Sequence, residues 1–222
     1  MSPRAGLGGV VVGALVAGAL ALGVVGGTAA ELTREQALAA LQSADATVRR
    51  GGVEWLAEAG RMEDVPALVK ALRDGNPTVR ALAERAMWQL WSRSGDEEVD
   101  RLFAIGLEQM TQRQGDAAVE TFSRIIQRRP DFAEGWNKRA TVYYLLGQYE
   151  KSLADCDEVL KRNPYHFGAL SGYGMIYLQL DRPAQALDYF ERALAVNPNM
   201  GSVEETVETL RKLLLQKRKD MI

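Results

Sequence analysis

Trp136-Asn-Lys-Arg-Ala140-Thr-Val-Tyr143-Tyr-Leu-Leu-Gly147, followed by Ser152-Leu-Ala-Asp-Cys156-Asp-Glu-Val159-Leu-Lys-Arg-Asn-Pro164, is the stretch that decides the fold. Its large, small, large, turn, small, medium, medium, proline order recurs 34 residues later as Leu170, Gly174, Tyr177, Asp181, Ala186, Phe190, Ala193 and Pro198. Upstream the same order is Leu102, Gly106, Gln109, Ala118, Phe122, Ile125 and Pro130, with Gly115 two places later than the turn glycine of the middle unit. A period of this length means stacked supersecondary units, each burying the face of its neighbour. Small residues stand where the two helices of a unit touch. Phe122 and Phe190 fill the gap to the next helix, and the proline ends the second helix because it cannot extend it. The late Gly115 predicts a distorted turn in the first unit. Asp131 with Glu134 has the spacing of a capping box opening the middle unit.

The three units resemble the tetratricopeptide repeat (TPR). The block from Trp136-Asn-Lys-Arg-Ala140 to His166-Phe-Gly-Ala-Leu170 is also similar to a group of exported bacterial TPR proteins, to which no biochemical activity attaches. Beyond Pro198, Ser202 and Glu205 are placed to cap a last helix with Val203, Val207, Leu210 and Leu214 on one face, the cover that a terminal repeat needs. Its end carries Arg211, Lys212, Lys217, Arg218 and Lys219, read as a solvated face favourably placed against the helix dipole, with an acidic partner or a lipid surface as the alternative.

Ahead of these units a second period appears. Leu41-Gln-Ser-Ala-Asp-Ala-Thr-Val48-Arg49 returns as Leu72-Arg-Asp-Gly-Asn-Pro-Thr-Val79-Arg80, an offset of 31. Leu82, Ala83, Ala86, Met87, Leu90 and Trp91 then form the stripe of an amphipathic helix. Thr33 with Gln36 makes a capping box, and Asp64 precedes Pro66 in a helical first turn. In the first unit the Gly51-Gly52 pair weakens its helix but permits close approach. This block resembles HEAT-like repeats over roughly residues 32–94. Two such repeats are few for a free-standing solenoid, so the pair is expected to pack on the 34-residue units beyond it.

The expected architecture is therefore an all-α α-solenoid of helix-turn-helix repeats. It divides into residues 1–30, a HEAT-like pair at 31–95, three TPRs at 96–200 and a capping helix at 201–222. Residues Ala5 to Ala30 carry no charge, follow Arg4 and end in Gly26-Gly27-Thr28-Ala29-Ala30. That layout reads as a secretory signal cleaved near Ala30, or as an uncleaved membrane tether through residues 5–30. Either implies an exported chain, periplasmic or anchored in the inner membrane facing the periplasm.

Composition narrows the chemistry. In 222 residues, 27 Lys and Arg stand against 29 Asp and Glu, too balanced for general nucleic-acid binding. One cysteine, Cys156, and one histidine, His166, exclude an intramolecular disulfide and the common multi-Cys and multi-His metal sites. His166 falls in the turn entering the third repeat and reads as a packing residue. Cys156 takes the buried aromatic position of the middle repeat. Asp155, Asp157 and Glu158 are helix neighbours that point in different directions. No phosphate loop, dinucleotide fingerprint or nucleophile elbow is present. We expect no enzyme, no catalytic residue, no metal and no cofactor.

The TPR resemblance implies a concave groove lined by the first helix of each repeat. Its positions are Phe103, Leu107 and Met110; Asn137, Lys138, Thr141 and Tyr144; and Ser171, Met175 and Leu178. The Lys and Asn of the first repeat and the basic residues of the third that grip a terminal carboxylate in one TPR subclass are replaced here by Phe103, Leu107, Gly168 and Gly172, so that clamp is absent. The expected function is an adaptor or scaffold holding an unidentified protein or peptide in this groove, with an apolar anchor in the ligand. Alternatives are a structural subunit of an oligomeric envelope complex or a regulatory partner of an enzyme. The same residues could instead be covered by the HEAT-like pair.

Overall fold

A computed structural model describes residues 32–220, so the expected leader at residues 1–30 lies outside the described residues. Within them are eleven α-helices and one 3₁₀ turn, and no strand. The helices are α1 (Arg34–Ala40), α2 (Ala46–Ala59), α3 (Val65–Ala71), α4 (Pro77–Trp91), α5 (Glu97–Thr111), α6 (Gly115–Arg128), α7 (Ala133–Leu145), α8 (Tyr149–Arg162), α9 (Phe167–Gln179), α10 (Pro183–Val196) and α11 (Gly201–Asp220). They form an α-solenoid of consecutive hairpins, as the two periods predict.

The offset of 31 is kept in three dimensions: α1 and α2 are followed by α3 and α4 in the same register. The repeated Thr-Val-Arg block has a clear physical role. Arg49 Nη1 donates to the Ser43 and Ala44 carbonyls at 2.8 and 2.9 Å, satisfying the turn before its own helix. Arg80 Nη1 does the same for Asp74 and Gly75, at 2.8 and 3.4 Å. Thr33 and Gln36 form the expected capping box. Asp64 does not cap α3 through its side chain; its buried carboxylate instead accepts from the Arg61 amide and the Arg34 guanidinium. Of the glycine pair only Gly52 is required by packing, since a Cβ there would meet the Ala37 carbonyl oxygen at 2.7 Å.

In the 34-residue units the small-residue logic holds closely. A Cβ on Gly106 would meet the Phe122 ring at 2.6 Å, and one on Gly174 the Phe190 ring at 2.5 Å. The first turn is not distorted. Arg113, Gly147 and Asp181 take the same left-handed conformation, with φ of 59, 71 and 53°. The following residue in each, Gln114, Gln148 and Arg182, donates to the same carbonyl position at 2.8 Å. Gly115 is late because Arg113 accepts the strained position that Gly147 fills in the middle unit.

Two helix starts differ from expectation. Phe132, not Asp131, is the N-cap of α7 and offers no side-chain acceptor, so the Asp131–Glu134 capping box does not form. Ser202 lies inside α11, which begins at Gly201. The face of α11 is as read: Val203, Val207 and Leu210 are buried against α10.

The amino-terminal hairpins fold back on the array. Phe167 belongs to their core, together with Trp91, Leu90 and Met87. Arg73 donates to the carbonyls of Ala195 and Val196, and Asn199 Nδ2 to the Leu72 carbonyl at 2.8 Å. The pair thus reaches from the start of α9 to the turn between α10 and α11.

Candidate functional site: the concave groove and its closed end

The first helices of successive units, α5, α7, α9 and α11, each leave large apolar side chains in solvent. These are Ile105 and Leu107 on α5, Leu145 on α7, Met175 on α9, and Leu213 and Leu215 on α11. Single exposed leucines need no explanation, but Leu107, Thr141 and Met175 stand one 34-residue repeat apart at equivalent places of α5, α7 and α9 and are all exposed. Leu145 lies one turn beyond Thr141 on the same face of α7, which is the signal that could have named it from sequence.

Between α7 and α9 lies a cavity of about 110 Å³. Thr141, Tyr144, Gly172 and Met175 form its sides, and Cys156 and Ile176 its floor. It exists because Gly172 has no side chain: a Cβ there would have only the Cys156 sulfur nearby, at 3.9 Å. Burial pushes the Cys156 thiol up to about 12, helped by Asp155 and Asp157, so the floor is a neutral apolar contact and not a nucleophile.

The expected groove residues separate into two sets. Leu107, Thr141 and Met175 are exposed, and Met110, Tyr144, Ser171 and Leu178 are half-buried. Thr141 Oγ1 donates to the Asn137 carbonyl at 2.9 Å, and the Tyr144 hydroxyl lies 3.4 Å from Gln179 Nε2. Phe103 is buried between Phe122 and Phe132, at ring distances of 6.0 and 5.6 Å, and so backs the wall without lining it. Asn137 is also buried, because it serves Glu134 through a 2.6 Å hydrogen bond. Lys138 is taken up by the amino-terminal pair, its Nζ lying 5.6 Å from the Trp88 ring centroid and 3.8 Å from Glu134.

Trp88 closes this end of the groove. A Cβ at Gly168 would meet its ring at 2.7 Å, so the glycine is what admits the indole. Beneath lies a buried polar pair. His166 Nδ1 accepts from the Ala169 amide at 3.0 Å and caps α9, leaving Nε2 as the protonated nitrogen, 3.4 Å from Glu134 Oε1. Trp91 stacks on the imidazole with centroids 4.4 Å apart. Burial opposes ionisation of Glu134, but His166, Lys138 and Asn137 together hold its carboxyl below the ordinary carboxylate value. His166 is thus a structural cap, as its position in the turn suggested. Arg139 likewise turns inward, bonding Asp155 through Nε and Nη2, both at 2.8 Å.

Among the described residues no group of three or more His, Cys, Asp or Glu is arranged to hold a metal, and no helix is long and apolar enough to cross a membrane.

Residues 131–199 match the family model described as tetratricopeptide repeat. A TPR repeat-containing protein of Rhizobium etli is 33% identical over 128 residues, 58% of this chain and 63% of that protein. Anaphase-promoting complex subunit 3 of Schizosaccharomyces pombe is 30% identical over 110 residues, 46% of this chain and 16% of that protein. The chain thus spans less than two thirds of the length of these curated relatives. Among solved structures, the Sgt2 TPR domain from Aspergillus fumigatus superposes with a TM-score of 0.52 at 19% identity, covering 56% of this chain and 83% of that one. The first TPR of Spaghetti (RPAP3), bound to the HSP90 peptide SRMEEVD, gives 0.51 at 20% identity, covering 54% and 94%. At such identities the likeness is one of fold.

Proposed function

We propose that this chain, a tetratricopeptide-repeat protein, is a protein-interaction adaptor that holds a peptide or protein segment in the groove of α5, α7, α9 and α11. The observation that carries the reading is the cavity between α7 and α9, opened by Gly172 and flanked by the exposed Thr141 and Met175, with Leu107 exposed at the equivalent place of α5. An apolar anchor side chain entering that cavity would bury against Cys156, Ile176 and Met175, and anchors filling pockets dominate binding energy in such interfaces. Thr141 and Tyr144 at its rim supply hydroxyls for the ligand backbone. With Lys138 engaged by Trp88 and Glu134, the groove has little to offer a terminal carboxylate. The solved neighbour that holds SRMEEVD supports the use of this fold for peptides, while the chemistry here favours an aliphatic side chain.

The four amino-terminal helices are read as a HEAT-like pair whose task is to brace the array and close one end of the groove. The uncharged run from Ala5 to Ala30 supports placing the chain in the cell envelope, which sequencing the amino terminus of the protein from cells would test.

The test of the groove is affinity capture by the full chain beside Met175→Glu and Leu145→Glu variants of unchanged circular dichroism. A partner held by the wild type and lost by both variants supports the reading. Equal capture by all three moves the interaction to another surface.

A further inference from the structure

On the other side of the junction from the groove, the amino-terminal pair and the second repeat enclose a cleft of about 260 Å³. Trp91 and Arg93 line it from the end of α4, Arg129 from the end of α6, Ala133 from the start of α7, and Arg162 and Asn163 from the end of α8. Its lining carries the donors of Trp91, Arg93, Arg129, Arg162 and Asn163 beside the Ser94 hydroxyl and the Asp131 carboxylate. Trp91 Nε1 and Asn163 Nδ2 are buried with no hydrogen-bond partner, in residues only 3 and 2 % exposed. Orphaned buried donors are costly, and two in one cleft call for an acceptor.

The helix start points the same way. α7 has no side-chain cap, and the amides of Ala133 and Glu134 find no acceptor among the described residues. The corresponding helix of the third repeat, α9, is capped by His166. A 13-residue helix with an uncapped amino terminus favours an anion there.

The guanidiniums retain capacity. Arg93 gives Nη1 and Nη2 to the Glu58 and Gly60 carbonyls and has no carboxylate partner. Arg129 pairs with Asp131 through Nε and Nη2, leaving Nη1; Arg162 uses Nε on Pro130 and Nη1 on Glu158, leaving Nη2. Asp131 and Glu158 pair with two of these arginines, Asp96 and Asp100 also act on Arg129, and Glu134 stands in the first turn of α7.

The geometry points to this cleft as a binding site for a tetrahedral oxyanion of the phosphate or sulfate class, held by Trp91 Nε1, Asn163 Nδ2, the α7 amino terminus and the free arginine N–H groups. Such an ion would join α4 to the second repeat and satisfy donors that the fold leaves unmatched. The site is distinct from the groove, so its success or failure leaves the peptide reading untouched.

The experiment is thermal unfolding of the full chain in sodium phosphate, sodium sulfate, sodium acetate and sodium chloride at matched ionic strength and pH, with isothermal titration of phosphate. The expected result is one site per chain and a saturable rise in Tm of about 3 °C or more for phosphate and sulfate over chloride. Asn163→Asp keeps the acceptor that serves the Tyr165 amide but turns the orphan donor into a carboxylate, and should abolish the rise. Arg93→Gln, which keeps a polar side chain in the linker, should reduce the rise and serves if the first variant fails to fold. No rise in the wild type, an equal rise in either folded variant, or an acetate response matching phosphate would each overturn the assignment.

Discussion

Arg80 Nε donates to the Asn199 side-chain oxygen at 3.0 Å, joining residues 119 apart in the chain. It repeats, in the next unit, what Arg49 does to Asp74 at 2.6 Å. The turn at Asn197–Met200 therefore stands where a third amino-terminal unit would place its own turn. The array supplies the neighbour that a two-repeat solenoid lacks. Asn199 also donates to the Leu72 carbonyl, so its removal takes a partner from that carbonyl and from Arg80 Nε. Asn199→Ala should cost about 1–3 kcal/mol in urea unfolding, with a single transition retained. A loss below a few tenths would mean that the contact does not hold the two parts together.

The two glycines of α2 should respond oppositely. Gly51 has open space where a Cβ would go, so Gly51→Ala should stabilise by about 0.5–1 kcal/mol through helix entropy. At Gly52 the same change meets backbone, and about 1–3 kcal/mol should be lost. Urea midpoints of the two variants, moving in opposite directions, are the check.

The turns offer a second matched pair. Arg113 and Gly147 share one left-handed conformation, with φ of 59 and 71°. Gly147→Ala should cost about 1 kcal/mol, and Arg113→Gly should gain about 0.5–1 kcal/mol by releasing the steric penalty. Equal effects of the same sign would contradict a shared geometry.

Acid should unfold the chain through its paired carboxylates. Arg49 holds Asp74 below its ordinary value, and His166, Lys138 and Asn137 do so for Glu134 against its burial. For a depressed carboxyl the unfolded chain binds more protons. The stabilisation is therefore full above the unfolded value, about 4 for these groups, and fades as pH falls through the lower folded value. Tm measured from pH 6 down to 3 should hold steady and then drop below about pH 4. A flat profile to pH 3 would exclude this contribution.

Much of the fold was legible because its lattice is local and periodic. Pro130, Pro164 and Pro198, the Gly106–Phe122 and Gly174–Phe190 pairs, and the Thr-Val-Arg block are repeated solutions to one packing problem. The docking of the amino-terminal pair was not readable in detail. Trp88, Trp91 and Asn199 look like ordinary helix and turn residues until residues far apart in sequence meet. The groove was half legible for the same reason. Register placed Leu107, Thr141 and Met175 where they are exposed, but could not reveal that Phe132 covers Phe103 or that Glu134 claims Asn137. Asp131 and Glu134 have the spacing of a capping box, yet burial beside His166 took the glutamate elsewhere.

The most direct test of the adaptor reading is the affinity of a peptide selected from a displayed library on the full chain, measured for wild type and Met175→Glu. Selected sequences should share an aliphatic anchor, with binding weakened at least about tenfold in a variant of unchanged Tm, as loss of a buried anchor contact requires. Selected peptides that bind both proteins alike, or that share a terminal carboxylate in place of an apolar side chain, would contradict it.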